Sequence, residues 1–156
     1  MPIKIEISPT KGLVQSQGSG VFFQGGTTVQ GASQLVVSAT GTDARIQLSK
    51  EQSGAFCHWA GGNASHFTLP ALQSGLRYTF FASTAHAHQL NGGGAVLQGS
   101  VIHNANGTTL TRQAVSDRTS ITMHSTNHAV SDYIDVWCDG TNWYVEARTN
   151  DAVTLA

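Results

Sequence analysis

Seven histidines in a chain of 156 residues raise the question of a metal or catalytic site. His86 and His88 would share one face of a strand, and His124 and His128 have the spacing of one helix face. The polar and β-branched residues between His124 and His128 argue against a helix there. No HExxH or CxxC motif accompanies either pair. We therefore expect surface or interface histidines, with neither a metal site nor a cofactor.

Cys57 stands beside His58, and the two residue types could form a nucleophile and its base. Adjacent residues in a strand point to opposite faces, so the two side chains would not meet. The second cysteine, Cys138, is far from the first, and the pair matches no metal or redox spacing. We expect both cysteines to be buried free thiols.

Three carboxylates, Asp132, Asp135 and Asp139, could supply a pair for glycoside hydrolysis. All three fall on one predicted hairpin, where solvated or turn-forming roles are commoner. The glycine clusters at 61–62 and 92–94 lack the Lys-Ser/Thr pair or helix start of a phosphate-binding loop. We therefore expect no catalytic residues and no enzyme, and a small hydrolase is the weakest alternative.

The large aromatic residues allow two interpretations. Their rings could form a sugar-stacking surface, or they could pack in the core and at a subunit interface. The residues concerned are Trp59, Trp137, Trp143, Tyr78, Tyr133 and Tyr144. We expect core or interface packing, with Tyr133, Trp137 and Tyr144 at contacts between subunits.

The charge content excludes some partners. Charged residues make up 11% of the chain, and 8 Lys and Arg stand against 9 Asp and Glu, a net charge of −1. Such a chain has no field with which to gather nucleic acid or an anionic membrane surface, so neither is expected as a partner. No stretch has the length and apolarity of a membrane helix.

The elements that must position these residues are short strands, because helical periodicity breaks down throughout the chain. Runs of alternating or β-branched residues recur between Gly- and Asn-containing segments. They cover 3–7, 21–23, 35–39, 45–48, 66–69, 76–81, 95–102, 108–111 and 120–123. This spacing predicts an all-β domain, an antiparallel β-sandwich or a jelly-roll-like barrel.

A β-hairpin near the C-terminus is the strongest local prediction. Residues 132–138 and 142–147 are rich in aromatic and β-branched residues, and Asp139-Gly140 between them supplies the positive φ of a tight turn. Ile134, Val136 and Cys138 would share one face. The other face also carries large apolar groups, so we expect part of it to pack against a neighbouring subunit.

Residues 1–20 differ from the rest and predict an N-terminal arm, with the domain proper over 21–156. Ile3, Ile5 and Ile7 alternate with charged residues and form a one-faced strand, whereas 11–20 is glycine-rich and is typical of an arm or linker. A lone strand must add to a sheet elsewhere. We therefore expect Ile3, Ile5, Ile7, Leu13 and Val14 to form a docking arm. Charges among residues 1–7 argue against a secretory signal.

The order of residues 66–81, followed much later by 132–145, resembles a β-module of tailed-bacteriophage virion proteins. The segments are His66-Phe67-Thr68-Leu69-Pro70, Leu76-Arg77-Tyr78-Thr79-Phe80, and Asp132-Tyr133-Ile134-Asp135-Val136 with Cys138-Asp139-Gly140-Thr141-Asn142-Trp143-Tyr144-Val145. Such modules occur in capsid decoration (cement) proteins and in fibre or tail-appendage proteins. The resemblance spans roughly residues 66–146 and carries no catalytic signature.

The resemblance implies a structural role on a virion. Proteins of this kind assemble as trimers on the outer surface of the phage head and clamp neighbouring capsomers through the major capsid protein. The small size of the chain favours a decoration protein, made in the host cytoplasm, over a fibre. The alternative is a fibre or appendage module that binds host-surface carbohydrate.

Overall fold

The computed structural model describes residues 5–8, 12–15, 35–105, 109–124 and 132–156. It divides into two compact units, Met1–Ser33 and Gln34–Ala156. Ile3, the strand predicted at 21–23 and His128 lie outside the described residues.

In the first unit, β1 (Ile5–Ser8) pairs with β2 (Gly12–Gln15) as an antiparallel ribbon. Ile7 is opposite Leu13, and Glu6 is opposite Val14. The strand predicted around Ile5 and Ile7 is confirmed. Part of the segment predicted as an arm or linker is therefore extended, because Leu13 and Val14 favour extended backbone and β1 supplies a partner for their peptide groups.

The second unit is a sandwich of two sheets with a hydrophobic core between them. Its strands are β3 (Val36–Ala39), β4 (Arg45–Gln47), β5 (Phe56–Trp59), β6 (His66–Thr68), β7 (Arg77–Ala82), β8 (Gln89–Asn91), β9 (Leu97–Ala105), β10 (Thr109–Arg118), β11 (Ser120–Thr122), β12 (Tyr133–Cys138), β13 (Trp143–Thr149) and β14 (Thr154–Leu155). One 3-10 turn covers Lys50–Gln52. The predicted all-β sandwich is confirmed.

The seven-stranded sheet has the order β10-β9-β13-β12-β7-β5-β3, and the five-stranded sheet has the order β14-β11-β8-β6-β4. Both sheets are mixed, whereas the sequence led us to expect antiparallel pairing. From β3 to β8 the chain alternates between the sheets, so β3, β5 and β7 pair in parallel in one and β4, β6 and β8 pair in parallel in the other. Each of the strands β4, β5, β6 and β7 thus lies in the crossover between two parallel strands of the other sheet.

These alternating strands form three successive layers, which are the strand pairs β3/β4, β5/β6 and β7/β8. Each layer contributes one strand to each sheet, and equivalent residues follow at a nearly constant spacing along the chain. In the larger sheet Val36 aligns with Phe56, and Phe56 aligns with Thr79. In the smaller sheet Arg45 aligns with His66, and His66 aligns with Gln89. The sequence shows no repeat of residue types at this spacing, so the repeat is structural.

The predicted C-terminal hairpin is confirmed as β12 and β13, joined at Asp139 and Gly140, and Gly140 has the expected positive φ of 102°. The hairpin fills the space between β7 and β9: β12 pairs antiparallel with β7, and β13 pairs parallel with β9. Its inward residues Ile134, Val136 and Cys138 are buried, as predicted. The hairpin therefore forms the centre of the larger sheet.

Aromatic rings fill the core beneath this sheet. Trp59 lies 5.6 Å from Phe67 and 5.4 Å from Phe80, measured between ring centroids, and all three residues have no exposed surface. Tyr78 and Trp143 form a second contact at 6.0 Å. The Tyr78 hydroxyl donates a hydrogen bond of 2.8 Å to the carbonyl of Ser49, and burial raises the pKa of this phenol to about 12.

Candidate interaction surface

The outward face of the seven-stranded sheet carries the three aromatic residues predicted for subunit contacts. Alternation along β12 turns Tyr133 and Trp137 outward while Ile134 and Val136 point into the core, and Tyr144 occupies the same outward face of β13. Trp137 is 42% exposed, and Tyr133 and Tyr144 are half-buried. The structure therefore places these three residues on one solvent-facing surface.

Trp137 and Tyr144 form a stacked pair on this face. The two residues are directly opposite in register, their ring centroids are 6.1 Å apart and their planes differ by 19°. The Tyr144 hydroxyl donates a hydrogen bond of 3.1 Å to Oδ2 of Asp139. The turn carboxylate thus fixes one end of the aromatic pair.

Asp139 is the residue that organises this turn. Its Oδ1 accepts hydrogen bonds from the backbone N–H groups of Thr141, at 2.7 Å, and Asn142, at 2.8 Å. These donors, first that of Asn142 and then that of Thr141, hold the pKa of the carboxyl below its ordinary value of 3.8. The turn-forming role expected for Asp139 is confirmed.

The same outward face carries a second aromatic patch, at the Tyr133 end of β12. Phe56 and Phe81 have ring centroids 5.8 Å apart, and His58 lies 6.1 Å from Phe81. Tyr133 is the register partner of Phe81 on β12. The predicted strands do not include 56–59, although Phe56-Cys57-His58-Trp59 alternates between outward and buried positions.

The other three large aromatics belong to the core. Trp59, Trp143 and Tyr78 have no exposed surface, so they are not available to a ligand at the surface. The expectation of core packing is confirmed for these three. A sugar-stacking surface made of all six residues is excluded by this burial.

His88 overturns the expectation of a surface or interface histidine. The residue is fully buried, and its ring stacks on Trp59 with centroids 5.6 Å apart and planes 14° apart. Its Nδ1 accepts a hydrogen bond of 3.2 Å from the N–H of Ser65, which leaves Nε2 to donate to the carbonyl of Thr84 at 3.1 Å. His88 is therefore a structural residue of the core.

His86 and His88 do come together, but not as strand neighbours. Residues 86–88 precede β8 in a loop, and the two rings meet edge to face with centroids 5.9 Å apart. Within the described residues no group of three His, Cys, Asp or Glu side chains is arranged to hold a metal ion.

Cys57 and His58 lie on opposite faces of β5, as the alternation predicted. Cys57 is fully buried, and burial raises the pKa of its thiol to about 12. Both Cys57 and Cys138 are buried free thiols, which confirms that expectation.

The remaining carboxylates on the hairpin do not form a pair of catalytic type. Asp135 accepts a hydrogen bond of 2.5 Å from the Thr79 hydroxyl on the outward face. Asp132 is buried and accepts one of 3.0 Å from the N–H of Asn150, so a solvated role for Asp132 was wrong. Both carboxylates link neighbouring segments of the sheet.

The glycines at 92–94 form a turn that follows β8. Gly93 has a φ of 66°, and a Cβ there would collide with the carbonyl oxygen of Leu69. This close approach of two backbone segments accounts for the glycine. Among the described residues, no helix has the length and apolarity needed to cross a membrane.

Comparisons of the chain with known protein families, with curated proteins and with solved structures returned no match.

Proposed function

We propose that this chain is a structural protein of a tailed-bacteriophage virion: a homotrimeric decoration protein that binds the major capsid protein across capsomer junctions on the outer surface of the head. The observation that carries the proposal is the outward placement of Tyr133, Trp137 and Tyr144 on one sheet face. Solvent-facing aromatic residues of this kind are enriched at protein interfaces. The protein acts through binding, not through catalysis.

The N-terminal ribbon is the proposed attachment to the shell. A two-stranded ribbon is marginally stable by itself, so β1 and β2 gain stability by adding to another sheet. Strand addition gives affinity through main-chain hydrogen bonds and specificity through alternate side chains. The proposed docking residues are Ile5, Ile7, Leu13 and Val14, together with Ile3, which lies outside the described residues.

A balanced charge supports a protein partner in preference to nucleic acid or membrane. The chain has a net charge of −1, so no long-range field directs it to either polyanion. We place its synthesis in the host cytoplasm and its final position on the virion surface.

A second candidate function rests on the exposure of Trp137. An exposed indole stacked on a tyrosine is a group on which a sugar ring can pack. A fibre or tail-appendage module that binds host-surface carbohydrate would use this pair. Unlike the capsid proposal, this function predicts glycan binding by the isolated protein.

The test is binding to expanded capsids that lack the protein. Purified full-length protein is mixed with the capsids, the mixture is sedimented, and the pellet is imaged. Ordered, saturable binding at three-fold positions is expected. A folded protein that stays in the supernatant would overturn the proposal, and specific glycan binding by that protein would favour the appendage module.

Two variants test the arm within this experiment. Deletion of residues 1–20, and the double substitution Ile5→Ser with Ile7→Ser, should each abolish sedimentation with the capsid. Thermal unfolding of each variant checks that residues 34–156 remain folded. Undiminished capsid binding by both folded variants would refute docking through the arm.

A further inference from the structure

The two outward faces of the sandwich differ in chemistry. Every outward position that the register aligns across the five-stranded sheet is polar or charged. One row is Arg45, His66, Gln89, Thr122 and Thr154, and the next includes Gln47, Thr68 and Asn91. This face is therefore compatible with water.

The polar side chains of that face also bond to one another. Nδ1 of His66 lies 3.0 Å from Oε1 of Gln89, and Nε2 of Gln89 donates a hydrogen bond of 3.1 Å to the Thr122 hydroxyl. Nε2 of His66 lies 3.1 Å from a carboxylate oxygen of Asp43. The network spans neighbouring strands. Many of its donors and acceptors are therefore paired with one another and do not need a second protein to pair with.

The outward face of the seven-stranded sheet carries the apolar surface instead. Among the described residues, the large hydrophobic side chains exposed on strands are Val36, at 57%, Leu110, at 77%, and Trp137, at 42%. By register, Val36 is outward with Phe56, and Leu110 is outward with Asn104. All three are therefore on this face, at its two edge strands and at its centre.

Half-buried rings fill part of the space between these exposed groups. Phe56 continues from Val36 and contacts Phe81, which is adjacent to Tyr133. Beyond the centre, Ile102 of β9 is the outward residue next to Arg148. The apolar positions therefore recur across the whole width of the sheet.

We infer that a second copy of this chain packs on the outward face of the seven-stranded sheet. The inference deepens the proposed function, because it assigns a surface to the proposed oligomer. The inference depends on the proposed oligomer, and it does not depend on the proposed binding to the capsid.

The width of the face favours a macromolecule as its binding partner over a small ligand. Seven strands about 4.8 Å apart span roughly 29 Å, which is the scale of a standard protein interface. A sugar chain stacked on Trp137 and Tyr144 would leave Val36 and Leu110 in water at the two edges. A flat protein surface can cover all three positions at once.

The charges on the face favour a partner of balanced charge, and another copy of this chain, with a net charge of −1, is such a partner. Arg77, Arg112 and Arg148 are outward on β7, β10 and β13, and Asp135 and Glu146 are outward between them. A neighbouring copy has a net charge of −1 and presents no strong field of one sign, so interspersed charges of both signs on this face can pair with its surface. Because neither sign dominates on this face, the face does not require a strongly charged partner.

The experiment measures the mass of the full-length protein in solution by light scattering after size exclusion, and by sedimentation equilibrium, from about 1 to about 100 µM. The face variants are Trp137→Lys and Leu110→Lys, both at exposed positions. The matched control is Gln47→Lys, an exposed position on the five-stranded sheet. Thermal unfolding confirms that all three variants fold.

The wild-type protein and Gln47→Lys should form the same oligomer. Each face variant should raise the dissociation constant by at least about tenfold. The inference is overturned if the wild-type protein is monomeric throughout, or if the folded face variants associate as tightly as the wild type. A monomeric wild-type protein overturns the inference whether the face binds glycans instead or is covered by the chain's own segment Met1–Ser33. Capsid binding is not used, so failure here is separate from failure of the capsid proposal.

Discussion

Trp137 and Tyr144 stack across the β12–β13 hairpin on its solvent side, with ring centroids 6.1 Å apart, while Trp143, the neighbour of Tyr144 in the chain, is fully buried on the core side. The pleat of the strand therefore gives two tryptophans of one hairpin opposite environments. One belongs to the surface and the other to the core.

Replacing each tryptophan by alanine should separate these roles. Trp143→Ala should lower the free energy of unfolding by about 3–5 kcal/mol, because it empties a packed site. Trp137→Ala should change the free energy of unfolding of the monomer by less than about 1 kcal/mol. Urea unfolding at low protein concentration measures both values. Equal losses in the two variants would contradict the assignment of Trp137 to the surface.

Gly99 is required by a close approach between β9 and β13. Its φ is 140°, and a Cβ there would collide with the carbonyl oxygen of Val145. Gly99→Ala should therefore destabilise the protein by more than about 1 kcal/mol. Gly62 is the control, because no atom lies within 4 Å of the place that a Cβ would take there.

Gly62→Ala should stay within about 0.5 kcal/mol of the wild type. Thermal unfolding compares the two glycine variants under the same conditions. A Gly99→Ala protein as stable as the Gly62→Ala protein would contradict the close contact between β9 and β13.

The Asp139 carboxylate should make the hairpin sensitive to acid. Its pKa in the folded protein is below the ordinary value of 3.8, so its stabilising effect is complete above that value and is lost as the pH falls through the folded pKa. Asn at this position has no charge to lose. The melting temperature of the wild type should therefore exceed that of Asp139→Asn at pH 6, and the difference should shrink towards pH 2.

Glu146→Gln is the control for this measurement, because it removes a negative charge from the same hairpin without altering the turn. At pH 6 its melting temperature should be closer to that of the wild type than the melting temperature of Asp139→Asn is. A difference between wild type and Asp139→Asn that stays constant from pH 6 to pH 2 would refute the role assigned to the carboxylate.

The Cys57 thiol should be protected from alkylation and should make the fold sensitive to alkali. Burial raises its pKa from 9.0 to about 12, so the folded protein keeps the proton while the unfolded chain loses it above about pH 9. Stability should fall as the pH rises from 9 towards 12. Cys57→Ala should lose part of this dependence, as measured by urea unfolding across that range.

Thiol titration provides an independent check on the same residue. A thiol reagent at pH 8 should react slowly with the native protein and should detect both cysteines after unfolding in denaturant. Rapid reaction of Cys57 in the native state would contradict its burial.

The structure is best predicted from the sequence where a strand and its pairing partner lie in one short segment. Residues 132–147 contain two β-prone runs joined by Asp139-Gly140, so pairing, turn and buried face all follow from local chemistry. The outward position of Trp137 follows from the same alternation. The outward patch of Phe56 and Phe81 could have been found by the same rule, because it depends only on recognising β5 as a strand.

The parallel pairing of the strands from β3 to β8 could not be predicted in this way. A strand such as Arg45–Gln47 alternates in the same manner whether its neighbour runs parallel or antiparallel, and its partner strand, which begins at His66, is distant in the chain. His88 shows the same limit for a single residue. Its burial depends on Trp59 and Ser65, which the chain brings to it from distant positions.

The position of the C-terminal hairpin in the middle of the larger sheet has a consequence for folding. β7 gains its second neighbour only when Tyr133 reaches Phe81, and β9 gains its second neighbour only when Tyr144 reaches Gln98. Pairings this distant in sequence slow folding. During synthesis, the second edge of β7 stays open until β12 emerges from the ribosome, and that of β9 stays open until β13 emerges, so the centre of the sheet is completed last.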